Sequence, residues 1–378
     1  MIHSIPLSAP DITEAEIEAV TAVLRTNSLS LGPGLEEFEA LLSERHHKTS
    51  AIAVSSGTAA LHLAIRALKI GPGDEVIVPS FTFIAVANAV LYEGAVPVFV
   101  DIDPDTWNMN PALVEAAITP RTRAMVVVHT FGVPAELDAF CEIAQRHHLF
   151  LIEDACEAIG ATYRGMPVGT FGDIAVFGFY PNKQITTGEG GALLVRDPQL
   201  AYRIRAMRNQ GRYPTEGWFQ HRELGFNYRL SELACALGIA QLKRLESILA
   251  LRAHVAALYR QRLVEFSAIQ CPVAHFSDRT VSWFVYVIRI AEQAPAELRD
   301  CLVNRLSERG IAAGRYFAPI HHQPAYEAFS QVHPSHLPIT ETIAQRTIAL
   351  PFFNRMTPVL VDRVSDAIRS ILQEENAL

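Results

Sequence analysis

The chain has 378 residues, 49% of them apolar and 19% charged, a size at which a large and a smaller lobe are expected and a composition that argues for an ordered chain. A formal net charge of −8 without a basic tract speaks against nucleic acid as the main partner and points to small molecules. No apolar stretch approaches a membrane span, no secretory leader is visible, and Cys141, Cys156, Cys235, Cys271 and Cys301 lack zinc or redox spacing, so a cytoplasmic protein with reduced thiols is expected.

From about residue 50, short β-branched runs alternate with helical patterns. The runs are Ala51 to Val54, Val76 to Val78, Val96 to Val100, Ala124 to Val128, Phe150 to Ile152, Ile174 to Phe177 and Ala192 to Val195. Strands apolar throughout and separated by helices predict a mostly parallel sheet covered on both faces, hence an α/β domain. Ala59 to Leu68 and Ala135 to His147 read as two of the covering helices. In such sheets ligands bind beyond the carboxyl ends of the strands, which is where Ser56, Asp154 and Asp101 are expected. A long helical stretch, Leu230 to Ala257, precedes a change of pattern: a β-like run Phe284 to Ile290, a helix near Leu298 to Arg309, proline-rich loops and a last helix near Val359 to Gln373. This predicts a large domain over residues 1–245 and a smaller α+β domain over residues 246–378.

Three segments carry chemistry. Val54-Ser55-Ser56-Gly57-Thr58-Ala59-Ala60-Leu61 puts hydroxyls and a glycine between a strand and a helix, where backbone N–H groups and the helix dipole can cradle a phosphate. Ser and Thr cap helices of every kind, so this segment alone leaves both readings open. Leu151-Ile152-Glu153-Asp154 ends a buried strand in two carboxylates, which need a partner there. No His or Cys cluster accompanies them, so no metal is expected; a protonated pyridine nitrogen needs a single well-placed Asp, and a plain helix cap is the alternative. Phe177-Gly178-Phe179-Tyr180-Pro181-Asn182-Lys183-Gln184-Ile185-Thr186-Thr187-Gly188-Glu189-Gly190-Gly191 sets one lysine in an aromatic, glycine-rich, nearly uncharged context. Removing an ammonium from water favours its neutral, nucleophilic form, which Schiff-base chemistry requires.

Taken in order, Ser56-Gly57-Thr58, Pro79-Ser80-Phe81-Thr82-Phe83, Glu153-Asp154-Ala155-Cys156-Glu157-Ala158, Pro181-Asn182-Lys183, Thr187-Gly188-Glu189-Gly190-Gly191 and Gly225-Phe226-Asn227-Tyr228-Arg229 resemble the DegT/DnrJ/EryC1/StrS family of sugar aminotransferases. The resemblance runs over nearly the whole chain. It implies a fold-type I enzyme dependent on pyridoxal 5'-phosphate (PLP), with pyridoxamine 5'-phosphate as the intermediate form, working as a homodimer with active sites at the subunit interface. L-Glutamate is the implied amino donor and a nucleotide-linked keto sugar the implied acceptor, in amino sugar and polysaccharide biosynthesis.

The same resemblance assigns roles. Lys183 would hold the cofactor as a Schiff base and then shuttle the proton; Asp154 would keep the pyridine nitrogen protonated. Ser56, Gly57 and Thr58 would line the phosphate site, and Phe83 would lie against the ring, with core packing as its alternative. Asn227 would reach the phosphate in the neighbouring subunit, Arg229 would take the donor's carboxylate, and His321, in Tyr316-Phe317-Ala318-Pro319-Ile320-His321-His322-Gln323-Pro324, is the substrate-side candidate, with His322 as its rival. Two positions depart from the common pattern: Gly178 stands where many members carry a phosphate-binding Ser, and Glu157 where Gln or His is frequent near the cofactor's ring oxygen. A sister group that dehydrates sugars has His at the Lys183 position, so transamination is expected. The Glu157 and Asn182-Lys183 context is similar to perosamine-type and other 4-aminotransferases, which favours a 4-keto-6-deoxy hexose. A 3-keto sugar, a keto cyclitol, or a PLP-bound regulatory role are the alternatives.

Overall fold

A computed structural model describes residues 4–47, 50–213, 217, 219–332 and 336–375. The strands of its first half are β1 (Ser50–Val54), β2 (Glu75–Pro79), β3 (Val96–Val100), β4 (Thr122–Val128), β5 (Phe150–Asp154), the short β6 (Thr162–Tyr163) and β7 (Met166–Pro167), β8 (Ile174–Gly178) and β9 (Gly191–Val195). Seven of them form one sheet in the order β1-β9-β8-β5-β4-β2-β3. β2, β3, β4, β5 and β8 pair in parallel, whereas β9 runs antiparallel to both β1 and β8. Each of the seven apolar runs read from the sequence is one of these strands, so the sheet is the expected mostly parallel one, with β9 reversed.

The uniform apolarity of the strands follows from burial on both faces. Ile52 and Val54 pack with the helices Gly57–Ala67 and Ala85–Tyr92, while Ala51 and Ala53, pointing the other way, pack with Leu35, Phe38 and Cys235 of the helices Pro33–Arg45 and Glu232–Lys243. The reversal of β9 decides where the site lies. Because β9 returns beside β8, the loop of residues 179–190 stays at the carboxyl end of β8, beside the ends of β1 and β5.

The helical stretch Leu230 to Ala257 divides into Glu232–Lys243 and Leu245–Leu263, with Arg244 between them at φ −116° and ψ 17°. Neither Gly nor Pro marks the break. The Arg244 guanidinium is drawn instead to Glu16 Oε1 at 2.6 Å and Asp11 Oδ2 at 3.0 Å, partners more than 200 positions away in sequence.

In the second half, β10 (Ile269–Gln270), β12 (Tyr286–Ile290) and β13 (Thr347–Leu350) form an antiparallel sheet, while β11 (Arg279–Thr280) pairs with β6. Helices Leu245–Leu263, Leu298–Glu308 and Pro358–Glu374 surround a core of Tyr259, Ile288, Leu302, Leu350 and Ile368. Ile5 joins that core and bridges to Ile311. The buried Arg252 donates to the carbonyl oxygens of Trp283 and Phe284, both at 2.6 Å, and to Asn354 Oδ1 at 2.9 Å, which fixes the chain where it crosses to the large sheet. Among the described residues, no helix is long and apolar enough to cross a membrane.

Candidate active site

A cavity of about 630 Å³ opens at the carboxyl ends of the parallel strands. Its floor begins at the turn from β1 into helix Gly57–Ala67, where Ser56 Oγ accepts the Ala59 N–H at 3.0 Å and leaves Gly57 and Thr58 facing the cavity at the helix N-terminus. Space is tight on both sides of this turn, and at Gly191 it requires glycine. A Cβ at Gly57 would sit 3.0 Å from Cys156 Sγ, and one at Gly191 would fall 2.4 Å from the carbonyl oxygen of Ser56.

The two carboxylates that end β5 take opposite faces of the strand. Glu153 points into the protein and is fully buried. Its Oε1 accepts the N–H groups of Phe171 and Gly172 at 2.8 and 2.7 Å, and its Oε2 accepts Gly169 N–H at 2.7 Å and His129 Nε2 at 3.2 Å. His129 Nδ1 accepts from Ala135 N–H at 3.1 Å, which places the ring proton on Nε2, toward Glu153. Burial pushes the Glu153 carboxyl upward, but the His129 contact and the backbone donors outweigh it and hold the group below its ordinary value. Asp154 points into the cavity and accepts Cys156 N–H at 3.0 Å.

The loop of residues 179–190 is tied at its base. Phe179 N–H donates to Gly190 O at 2.9 Å, Thr187 N–H returns to Phe179 O at 3.0 Å, and the Thr186 hydroxyl donates to the same oxygen at 3.0 Å. Lys183 emerges from this frame. Its Nζ lies 3.9 Å from the ring centroid of Phe284 and 3.5 Å from Glu157 Oε1. Glu157 is buried, with Oε2 accepting Phe131 N–H at 2.8 Å. Burial raises its carboxyl above the ordinary range, against the opposing pull of Lys183. Burial likewise pushes the Cys156 thiol well up, reinforced by Asp154, so it is a packing group here and not a thiolate. Asn182 Oδ1 is buried and has no hydrogen-bond partner among the described residues.

Seven residues singled out from the sequence line this one cavity: Ser56, Gly57, Thr58, Phe83, Asp154, Glu157 and Lys183. Phe83 is 61% exposed in the single chain, at the cavity's edge and not in the core. Asn227, Arg229 and His321 lie outside its lining. Asn227 is exposed and bridges to Asn209, and Arg229 bridges to Val54 at the end of β1 while its Nη1 donates to Asn209 Oδ1 at 3.0 Å. His321 is buried against Ser80. Asp101 ends β3 as expected, yet it is turned to the N–H groups of Ile339 and Thr340 and takes no part in the lining.

Cys156, Asn182, Phe284, Arg315, Tyr316 and Phe317, which received no individual site role from the sequence, also form the walls. Cys156, Asn182, Tyr316 and Phe317 lie within segments quoted from the sequence. Phe284 and Arg315 come from the second half of the chain, and no local pattern ties them to the site.

The donor set has a definite chemistry: a helix N-terminus for an anion, a single amine, a carboxylate at a strand end, an aromatic edge and an unpaired amide oxygen. These residues fit pyridoxal phosphate, which presents a phosphate, an aldehyde carbon and a ring nitrogen. The sequence matches the DegT/DnrJ/EryC1/StrS aminotransferase family over residues 10–369. The chain belongs to that family. It is 41% identical over 371 residues to the GDP-perosamine synthase of Caulobacter vibrioides, covering 97% of this chain and 98% of the relative. Among solved structures it is similar to the aminotransferase TlmJ from Streptoalloteichus hindustanus (TM-score 0.93, 33% identity, 99% of this chain and 100% of that one). It is also similar to the sugar aminotransferase Spr1654 from Streptococcus pneumoniae in its PLP form (TM-score 0.92, 28% identity, 100% of both chains). As a family member the chain is a sugar aminotransferase with PLP as its cofactor, and the α/β architecture inferred from the strand pattern is the family's.

Proposed function

We propose that this family member moves the amino group of L-glutamate onto a GDP-linked 4-keto-6-deoxy hexose, releasing 2-oxoglutarate and a 4-amino sugar nucleotide. The observation that carries the reading is the meeting of Lys183, Asp154 and the Gly57–Thr58 helix start in one cavity. The choice of sugar extends to this chain the product named for the Caulobacter relative.

When bound, PLP supplies an electron sink for the carbon that loses its proton. Lys183, in its aromatic setting, would hold the cofactor through its Nζ and would be the group that carries the proton of the exchange. Asp154 keeps a proton on the ring nitrogen. Ser56, Gly57 and Thr58 anchor the phosphate through the helix N-terminus, and Phe83 covers one ring face. Glu157, whose carboxyl burial raises above its ordinary range, would stand beside the ring oxygen.

Asn227 and Arg229 we assign to the site of a second copy in a homodimer, Asn227 to its phosphate and Arg229 to the donor carboxylate. The exposure of Asn227 and of the cavity-edge side chains Phe83 and Tyr180 supports this. We further divide the chain into a cofactor-binding domain, residues 1–245, and a smaller domain, residues 246–378, and place it in the cytoplasm, in keeping with its five free cysteines.

Absorption spectra of the purified protein with PLP, before and after glutamate, test the reading. A Lys183-dependent visible band that glutamate bleaches, and that the GDP-linked 4-keto sugar restores, is expected. A band that glutamate leaves unchanged sinks the donor assignment. Restoration by a 3-keto sugar or keto cyclitol alone sinks the acceptor.

A further inference from the structure

His321, His322 and Glu341 stand together outside the cavity, although twenty positions separate the histidine pair from the carboxylate. His321 Nε2 is 3.3 Å and His322 Nε2 is 3.9 Å from Glu341 Oε1, and one ligand atom from each of the three residues lies within 4.8 Å of the others. Ligand atoms about 2.0–2.2 Å from a tetrahedral zinc ion are separated from one another by roughly 3.3–3.5 Å, so the Glu341–His321 pair already stands at zinc spacing and side-chain shifts of about an ångström or less bring in His322.

The buried ring is also oriented. Ser80 Oγ lies 2.7 Å from His321 Nδ1 and accepts the His321 backbone N–H at 3.3 Å. With the ring proton on Nδ1 donated to Ser80, the Nε2 lone pair faces Glu341 and His322, the arrangement of a metal-ligating histidine held by an outer-shell partner. His322 is 57% exposed at its side chain, which leaves an open side for entry of the ion and for a water as fourth ligand.

We propose that His321, His322 and Glu341 form a site for a zinc-class divalent ion. Two imidazoles and one carboxylate suit zinc or cobalt and not magnesium or calcium, which take oxygen ligands. The ion clips the turn Ile320–His322 to the helix Pro338–Ala344, whose first N–H groups are already fixed by Asp101. Tyr316 and Phe317, just before that turn, line the active-site cavity, so the clip steadies one of its walls. The inference does not draw on the proposed sugar or donor.

Equilibrium dialysis of the PLP-loaded protein against zinc, with metal measured per chain, tests it. Wild type is expected to retain one equivalent more than His322→Ala and Glu341→Gln, each variant binding at least tenfold more weakly. Zinc carried by the cofactor is common to all three proteins and cancels. Cobalt should give visible bands of tetrahedral intensity in wild type and not in the variants. His322 is exposed, so His322→Ala is expected to melt with the metal-free wild type, which keeps the comparison one between folded proteins. Equal zinc retention by wild type and His322→Ala, or cobalt spectra that do not differ, overturns the proposal and leaves a hydrogen-bonded Ser80–His321–Glu341 chain.

Discussion

Glu153 and Asp154 are neighbours with opposite duties, and their amide variants should separate folding from cofactor chemistry. In Glu153→Gln the carbonyl oxygen can keep Phe171 and Gly172, but the new NH2 group faces Gly169 N–H and His129 Nε2–H, donor against donor. Hydrogen bonds to a charged group contribute about 1.5–3 kcal/mol each, and two are lost while two lose their charge, so a cost of about 3–6 kcal/mol is expected. With an unfolding entropy of roughly 2.1 cal/mol/K per residue, that lowers the melting temperature of a chain this long by about 4–8 °C. The difference has a set pH course. Because the folded pKa of Glu153 lies below its ordinary 4.5, the stabilisation is complete above that value and fades as pH falls through the folded pKa, where wild type approaches the Gln variant. Asp154→Asn, whose contact within the chain is the turn to Cys156 N–H, should melt within about 2 °C of wild type as apoprotein and lose at least 100-fold in turnover, the proton on the ring nitrogen no longer being held. Thermal melts at pH 7 and pH 4 with cofactor spectra at 20 °C measure both. A Glu153→Gln protein that melts with wild type at pH 7, or that loses the cofactor band while folded when Asp154→Asn keeps its turnover, refutes the division of labour.

Glu157→Gln should remove a pH-dependent penalty. The folded pKa is raised, so the native state binds more protons than the unfolded chain between the two values and wild-type stability falls as pH rises through that window; denaturant melts from pH 4 to 8 should show this slope flattened in the variant. Gly178→Ser should cost about 1 kcal/mol, because its Cβ would lie 3.2 Å from Cys156 Sγ, and Cys156→Ala should recover most of the loss in a double-mutant cycle. Arg252→Met strands the carbonyls of Trp283 and Phe284 and should cost about 3 kcal/mol; because Phe284 covers Lys183, PLP affinity read by equilibrium titration should fall several-fold with it.

The half of the site that belongs to the large sheet was legible because sheet physics puts it in short segments. A strand buried on both faces must be apolar until its end, so Glu153-Asp154 stands out, and a phosphate cradle must be made of small residues, so Ser56-Gly57-Thr58 does. That Asp154 and not Glu153 serves the site came from the family resemblance and not from the strand pattern. The alternation of a strand says that the two face apart, but only the backbone donors at Gly169, Phe171 and Gly172 decide which one turns inward. The break at Arg244 escaped the hydrophobic pattern for a similar reason: its cause is a pair of acids at the start of the chain.

What composition and motif order leave out is the far wall, and that wall encloses Lys183. Its ammonium faces an aromatic ring and a carboxyl group whose charge burial opposes, both held by hydrogen bonds formed by other side chains: Arg252 grips the carbonyl of Phe284, and Gln184 Nε2 spans Glu157 O at 2.6 Å and Ser282 Oγ at 2.8 Å. Gln184 therefore ties the residue beside the nucleophile to both halves of the chain at once. A displacement of the second half relative to the large sheet would strain those bonds together, so the surroundings of Lys183 are maintained by the contact between the halves and not by the loop that carries it.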